Sequence, residues 1–141
     1  MSPFTTPSAG QVNIGLLILR VIVGIVFVAH GAQKIFVWGI DGVTAGFAGM
    51  GVPAAAVVAT LVAFGELLGG LALIAGVLTR LASLGLAIIM IGAVTLAHLP
   101  AGFFAPEGYE FTLTLAAASL ALMFAGAGQL SVDAALAKRR R

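Results

Sequence analysis

An all-α fold, an integral membrane four-helix transmembrane bundle, is what this sequence predicts, and three observations carry the prediction. Of its 141 residues 61% are hydrophobic and 9% charged, where soluble domains run near one half and one quarter. The apolar residues gather in four stretches, 14–37, 53–78, 81–99 and 111–127, each near the ~20 residues a helix needs to cross hydrocarbon. The alternating pattern of a membrane barrel is absent. Backbone groups in lipid must pair internally, which leaves helices as the spanning elements.

Short connections separate the spans. Residues 38–51 hold five glycines, and Val43, Phe47 and Met50 recur there at helical spacing, so a short helix lying at the membrane interface is expected. Pro53 stands where a helix favours its first residue. Thr79-Arg80 reads as a tight elbow. The stretch 100–110 carries Phe103, Phe104 and Tyr109, residues suited to the headgroup belt. Beyond Gly128, Ser131 is placed to cap a short terminal helix. The chain thus divides into a tail over 1–13, a membrane domain over 14–128 and a basic tail over 129–141.

Charge placement sets the expected orientation. With four spans both termini share a side with the Thr79-Arg80 elbow, and that side holds Arg80, Lys138, Arg139, Arg140 and Arg141. Only Lys34 lies opposite. The positive-inside rule then puts both termini in the cytoplasm, with the chain in the cell membrane. The basic C-terminus reads as a contact for anionic lipid headgroups, not for nucleic acid. The first thirteen residues lack Lys and Arg, so no cleaved signal peptide is expected.

Several chemistries drop out on residue types alone. There is no cysteine, which excludes disulfides, thiolate metal sites and a thiol relay within this chain. No Walker loop, GxGxxG, GxSxG or HExxH occurs, so no metal site is expected and no residue is singled out as catalytic.

Ionisable groups inside spans are the informative feature. A central Arg costs roughly 2.5–3.5 kcal/mol on insertion scales, and each Leu, Ile, Val or Phe returns about 0.3–0.6. The first span has fifteen of the latter, so it inserts while carrying Arg20. Such a residue still needs a partner and by default marks function. Arg20, Gly24, Phe27, Gly31 and Lys34 share one helical face, with His30 beside it. Glu66 lies mid-span on a face of small residues. A depth difference of about 6 Å at 1.5 Å per residue makes Arg20–Glu66 the expected buried ion pair. Gly65 and Gly69 form a GxxxG whose simplest use is packing within the monomer. His30 and His98 lie near the outer ends of their spans; two histidines could ligate haem, but that signature is unspecific and haem is the weaker reading.

His30-Gly31-Ala32-Gln33-Lys34-Ile35-Phe36 resembles the HGxQKxF signature of the DoxX family. The resemblance continues through Gly51-Val52-Pro53, Glu66-Leu67-Leu68-Gly69-Gly70 and Gly76-Val77-Leu78-Thr79-Arg80. It resumes at Ala97-His98, Gly102-Phe103-Phe104 and Gly108-Tyr109-Glu110, and ends in Gly126-Ala127-Gly128-Gln129-Leu130-Ser131-Val132-Asp133. It implies a four-helix membrane protein of the oxidoreductase type, a membrane component of quinone-linked or oxidative-stress complexes with soluble redox partners. The positions that match are Arg20, His30, Gln33, Lys34, Glu66, His98 and Glu110.

The leading expectation is therefore a membrane subunit of a redox complex with a polar pocket in the outer half of the bundle. His30, Lys34, His98 and Glu110 rim that pocket, and Arg20 and Glu66 form its floor. A quinone headgroup suits it, because carbonyl reduction needs hydrogen-bond donors and a nearby proton source. Electrons would come from a partner protein or bound ligand. A scaffold for partner proteins is the rival reading. A transporter needs a polar path to the inner side, and this sequence places nearly all its polar groups in the outer half. Reporter fusions test the orientation: those after Arg80 and at the C-terminus should read cytoplasmic, and one within 38–51 external. The reverse pattern overturns it.

Overall fold

The computed structural model describes residues 6–140; Met1 to Thr5 of the expected tail, and Arg141, lie outside them. Six α-helices follow in order: α1 (Ala9–Ala32), α2 (Gly39–Gly49), α3 (Ala55–Ala75), α4 (Thr79–Ala93), α5 (Glu110–Ala125) and α6 (Val132–Arg139). π-Helical turns over Gln33–Val37 and Val94–His98 prolong α1 and α4. Among the described residues there is no strand.

The continuous helices Ala9–Val37, Ala55–Ala75 and Thr79–Ala101 are long and apolar enough to cross a membrane. At 16 residues α5 is shorter, about 24 Å against a ~30 Å hydrocarbon core. Ile18, Ile22, Leu61, Leu68, Leu81, Ile88 and Phe124 all point outward and exposed. A water-soluble surface does not carry apolar residues at that density. The protein is an integral membrane protein whose outer surface is built for lipid.

Local boundaries depart from the sequence reading in instructive ways. The first helix starts at Ala9, not at residue 14, because Ser8 and Gln11 close a capping box: Gln11 N donates to Ser8 Oγ (3.3 Å) and Ser8 N to Gln11 Oε1 (2.8 Å). Residues 9–13 therefore belong to the span. Pro53 precedes α3 by two residues, since Ala54 adopts a left-handed turn conformation (φ 50°) before the helix begins. The elbow is Gly76-Val77-Leu78; Gly76 (φ 68°) closes α3 and Thr79 already opens α4. The short helix expected over 38–51 is α2. Ser131 caps α6, accepting from Ala134 N at 3.2 Å.

α1 packs most extensively on α3, and α4 on α5; α3–α4 and α1–α5 contacts close the bundle. The α1–α3 crossing is a backbone contact. A Cβ on Gly24 would stand 2.7 Å from Gly70 O, and one on Gly70 equally close to Gly24 O. Gly31 lies against the backbone of Ala63 and Leu67 in the same way. Small residues let membrane helices approach until dispersion and weak polar contacts hold them together. Gly65 and Gly69 instead face Ile89 and Leu86 of α4, so the GxxxG packs within the monomer. Phe27, Leu73, Leu86 and Leu122 fill the centre.

At the end that carries both termini, polar groups tie the helix ends together. Arg20, 2% exposed, donates from Nη1 to Leu73 O (2.8 Å) and Ile74 O (2.6 Å), and from Nη2 to Leu130 O. Leu73 O and Ile74 O are carbonyls of the last turn of α3, where a cation also meets the helix dipole favourably, and Leu130 O belongs to the segment before α6. Opposite it, Asp133 accepts from Leu78 N (2.8 Å) and Thr79 N (3.0 Å), capping α4 from another part of the chain. Asp133 N returns a bond to Gly76 O at 2.9 Å, and Gln129 N donates to Asn13 Oδ1 at 2.9 Å. The elbow is thereby clamped between α1 and α6.

Burial pushes the Asp133 carboxyl up, yet the Thr79 and Leu78 amides, the adjacent Thr79 hydroxyl and the Arg20 charge outweigh it and hold the group below its ordinary value. A carboxyl depressed in the folded state contributes stability that is present above its unfolded value, about 4, and is lost as pH falls through and below it. The melting temperature in detergent should fall on acidification from pH ~5 to ~3. Asp133→Asn should be less stable near neutrality and flatten that dependence; an equally steep fall in the variant would assign it to another group.

Candidate functional site

The glycine crossing sets the register of α1 against α3. With Gly31 beside Ala63–Leu67 and Gly24 beside Gly70–Ile74, Glu66 stands level with His30. Arg20 stands level with Gly76, whose Cβ would lie 2.9 Å from Arg20 Nη1. Arg20 and Glu66 are thus about ten residues apart along the axis, or ~15 Å, beyond the reach of an arginine. The expected Arg20–Glu66 pair does not form. Counting depth from span ends gave too small an offset because the start of α1 and the end of α3 are not level: Arg20, beside Gly76, is already eleven residues into α1.

Glu66 pairs with Lys34. Lys34 Nζ donates to Glu66 Oε2 at 2.6 Å, with the side chains 13% and 4% exposed. Lys34 lies in the π-helical turn, where one extra residue per turn changes the side chain's direction from that of a continuing α-helix. Lys34 also lines a groove of about 470 Å³, together with Trp38, Gly42, Val43, Gly46, Phe47 and Met50. The walls are apolar and come from α2 and the turn before it; the polar group is the Lys34 ammonium held by a carboxylate. Such an arrangement can donate a hydrogen bond to a carbonyl oxygen and exchange a proton with it.

The other candidates separate. His30, half-buried, donates through Nδ1 to Val26 O (2.9 Å) and sets its ring 5.8 Å from that of Phe111, against the first turn of α5. His98 Nδ1 donates to Glu107 O at 2.9 Å, and Glu110 accepts from Ala105 N at 2.8 Å. Both organise the 102–110 loop. Gln33 is exposed at the helix surface. Arg20 serves the helix ends at the far side. Of the seven, the structure brings Lys34 and Glu66 together with His30 at the same level. Among the described residues no three His, Asp or Glu side chains gather as a metal site.

The groove walls were missed as site residues, although the helical spacing of Val43, Phe47 and Met50 was the available signal. Thr79, Ser83 and Ser119, buried at the termini end, also carried no sequence signal. They correct the expectation that nearly all polar groups lie in the outer half.

A bundle of apolar helices with a largely buried Lys–Glu pair between α1 and α3 defines a class of small multi-span membrane protein. The family model for DoxX matches residues 15–99, and the chain belongs to the DoxX family. It is 36% identical over 110 residues to "Putative oxidoreductase CatD" of Bacillus subtilis (strain 168), covering 78% of this chain and 79% of that one. It is 33% identical over 135 residues to "Uncharacterized membrane protein Rv3486" of Mycobacterium tuberculosis (strain ATCC 25618 / H37Rv), covering 88% and 82%. No solved structure matches the chain.

A double-mutant cycle tests the pairing. Lys34→Met or Glu66→Gln alone should each destabilise the protein by about 3–5 kcal/mol, since each strands a buried partner. The double variant should recover much of that loss. Combining Arg20→Met with Glu66→Gln should give additive losses; recovery there instead would restore the Arg20–Glu66 pairing.

Proposed function

We propose that this protein is the membrane component of an oxidoreductase complex, and that the Lys34–Glu66 pair with the groove under α2 receives the headgroup of a quinone. The observation that carries this reading is a largely buried, hydrogen-bonded ammonium lining an apolar groove. Ionisable groups at membrane depth are costly and tend to serve function. Arg20's contacts already account for that residue structurally. Lys34–Glu66 caps no helix end and ties down no loop; it joins the end of α1 to α3 beside the groove.

In this reading Trp38, Val43, Phe47 and Met50 hold the apolar body of the ligand, and the Lys34 ammonium donates to a carbonyl oxygen. When that oxygen gains electrons its basicity rises, and a proton passes to it from Lys34, with Glu66 holding the resulting pair in position. Electrons come from a partner protein, soluble or membrane-bound, docked on the loops of the same side. The name of the Bacillus relative, "Putative oxidoreductase CatD", agrees with this reading. The basic residues Arg80, Lys138, Arg139 and Arg140 at the termini end support an orientation with the termini in the cytoplasm and the groove on the outer side of the cell membrane.

The scaffold alternative keeps the pair for stability alone, and one experiment separates the two. Protein purified in mild detergent should carry quinone detectable by mass spectrometry of the organic extract, and Lys34→Gln should lower its occupancy about tenfold or more, as expected for ~1.4 kcal/mol or more of lost binding. Quinone absent from the wild type, or equally retained by the variant, sinks the quinone reading and leaves the scaffold.

A further inference from the structure

Four buried polar groups at the termini end have no use in the site above. Arg20 Nε, Ser83 Oγ, Ser119 Oγ and, next to Asp133, Thr79 Oγ1 each lie out of contact with solvent and meet no hydrogen-bond partner from the protein. Ser83 and Ser119 are both 0% exposed. In buried helices such groups are satisfied as a rule, and an apparent exception calls for a bound water or ion. A membrane helix normally turns a serine hydroxyl back on the carbonyl one turn earlier. Thr60, Thr95 and Thr114 do so here, at 2.9, 3.0 and 2.8 Å, whereas Ser83 and Ser119 do not.

Their placement is collective. The buried face of α4 runs Thr79, Ser83, Leu86, Ala87, Met90, and that of α5 runs Thr112, Leu115, Ala116, Ser119, Leu122. These two helices form one of the two extensive contacts of the bundle, and both serines lie on their buried faces beside small residues. Arg80 Nη2 donates to Phe124 O at 3.4 Å, which aligns the start of α4 with the end of α5. Ser83 then lies about one turn, and Ser119 about two turns, from the level of Arg20.

We infer that Ser83, Ser119 and Arg20 Nε hold a small file of bound water inside the bundle at its termini end. Water fits the donor set: Arg20 Nε only donates, whereas a hydroxyl both donates and accepts, so water can accept from the arginine and pass the chain on to the serines. The charge of Arg20 is already met by three carbonyls and by Asp133, which removes the demand for an anion. Its function is to complete the solvation of Arg20 and to hydrate the α4–α5 seam. This inference stands independently of any ligand at Lys34–Glu66.

The test exploits the opposite signs of the wet and dry cases. An unsatisfied hydroxyl is a liability, so in a dry seam Ser→Ala is neutral or stabilising. In a hydrated seam Ser83→Ala and Ser119→Ala should each lower the melting temperature of the full chain in detergent by about 2–4 °C. The double variant should lose less than the sum, because the two share water. Water-edited solid-state NMR in bilayers reads the water directly: polarisation should reach the Cβ of Ser83 and Ser119 much sooner than the side chains of Leu73 and Leu122. Unchanged or raised melting temperatures, strictly additive losses, or serine build-up as slow as the leucines' would each overturn the inference. So would a wild-type stability that rises with chloride and not with sulfate, which would assign the seam to an anion.

Discussion

The backbone contact between α1 and α3 is the constraint on which the rest depends. Gly24, Gly31 and Gly70 let two helices meet with no side chain between them, and that contact has little freedom to slide. The register it enforces puts Arg20 at the C-terminus of α3 and Glu66 at the level of His30. Lys34, four residues further along α1, is then close enough to reach back over the glutamate. A slip of one turn along the axis, ~5.4 Å, would leave both charges without partners in a medium that cannot solvate them. The glycine contact and the polar contacts thus reinforce one register.

The two charged clusters do different work with similar chemistry. Arg20 and Asp133 answer the problem of helix ends, which expose carbonyls and amides that lipid cannot satisfy. Each neutralises its helix terminus, and together they seal the α3–α4 elbow against α6. Lys34 and Glu66 satisfy only one another. Their pair sits where α1 leaves regular helical geometry, beside the groove lined by α2.

The polar residues buried at the termini end alter the view of the bundle as dry below Glu66. Serine and threonine there sit in the face of α4 that packs on α5, among leucines and alanines. Their hydroxyls give the α4–α5 seam a different character from the glycine-based α1–α3 seam: one is held by backbone proximity, the other passes through polar groups that ask for solvent.

The sequence by itself determined the all-helical membrane fold, because hydrocarbon demands internally paired backbone and stretches of fixed length. It also determined the inward stripe of α1, since Arg20, Gly24, Phe27 and Gly31 repeat at the helical period and are all buried. The short helix of 38–51 and the Ser131 cap were legible for the same local reasons. What tertiary structure alone decided was which charge meets which. Pairing depends on axial register between helices, and register is set by non-local contact of glycine backbones, to which the sequence period is blind. Hence Glu66 went to Lys34, Arg20 to the end of α3, and His98 and Glu110 to their loop. A one-dimensional pattern can assign residues to a face; only packing assigns them a height.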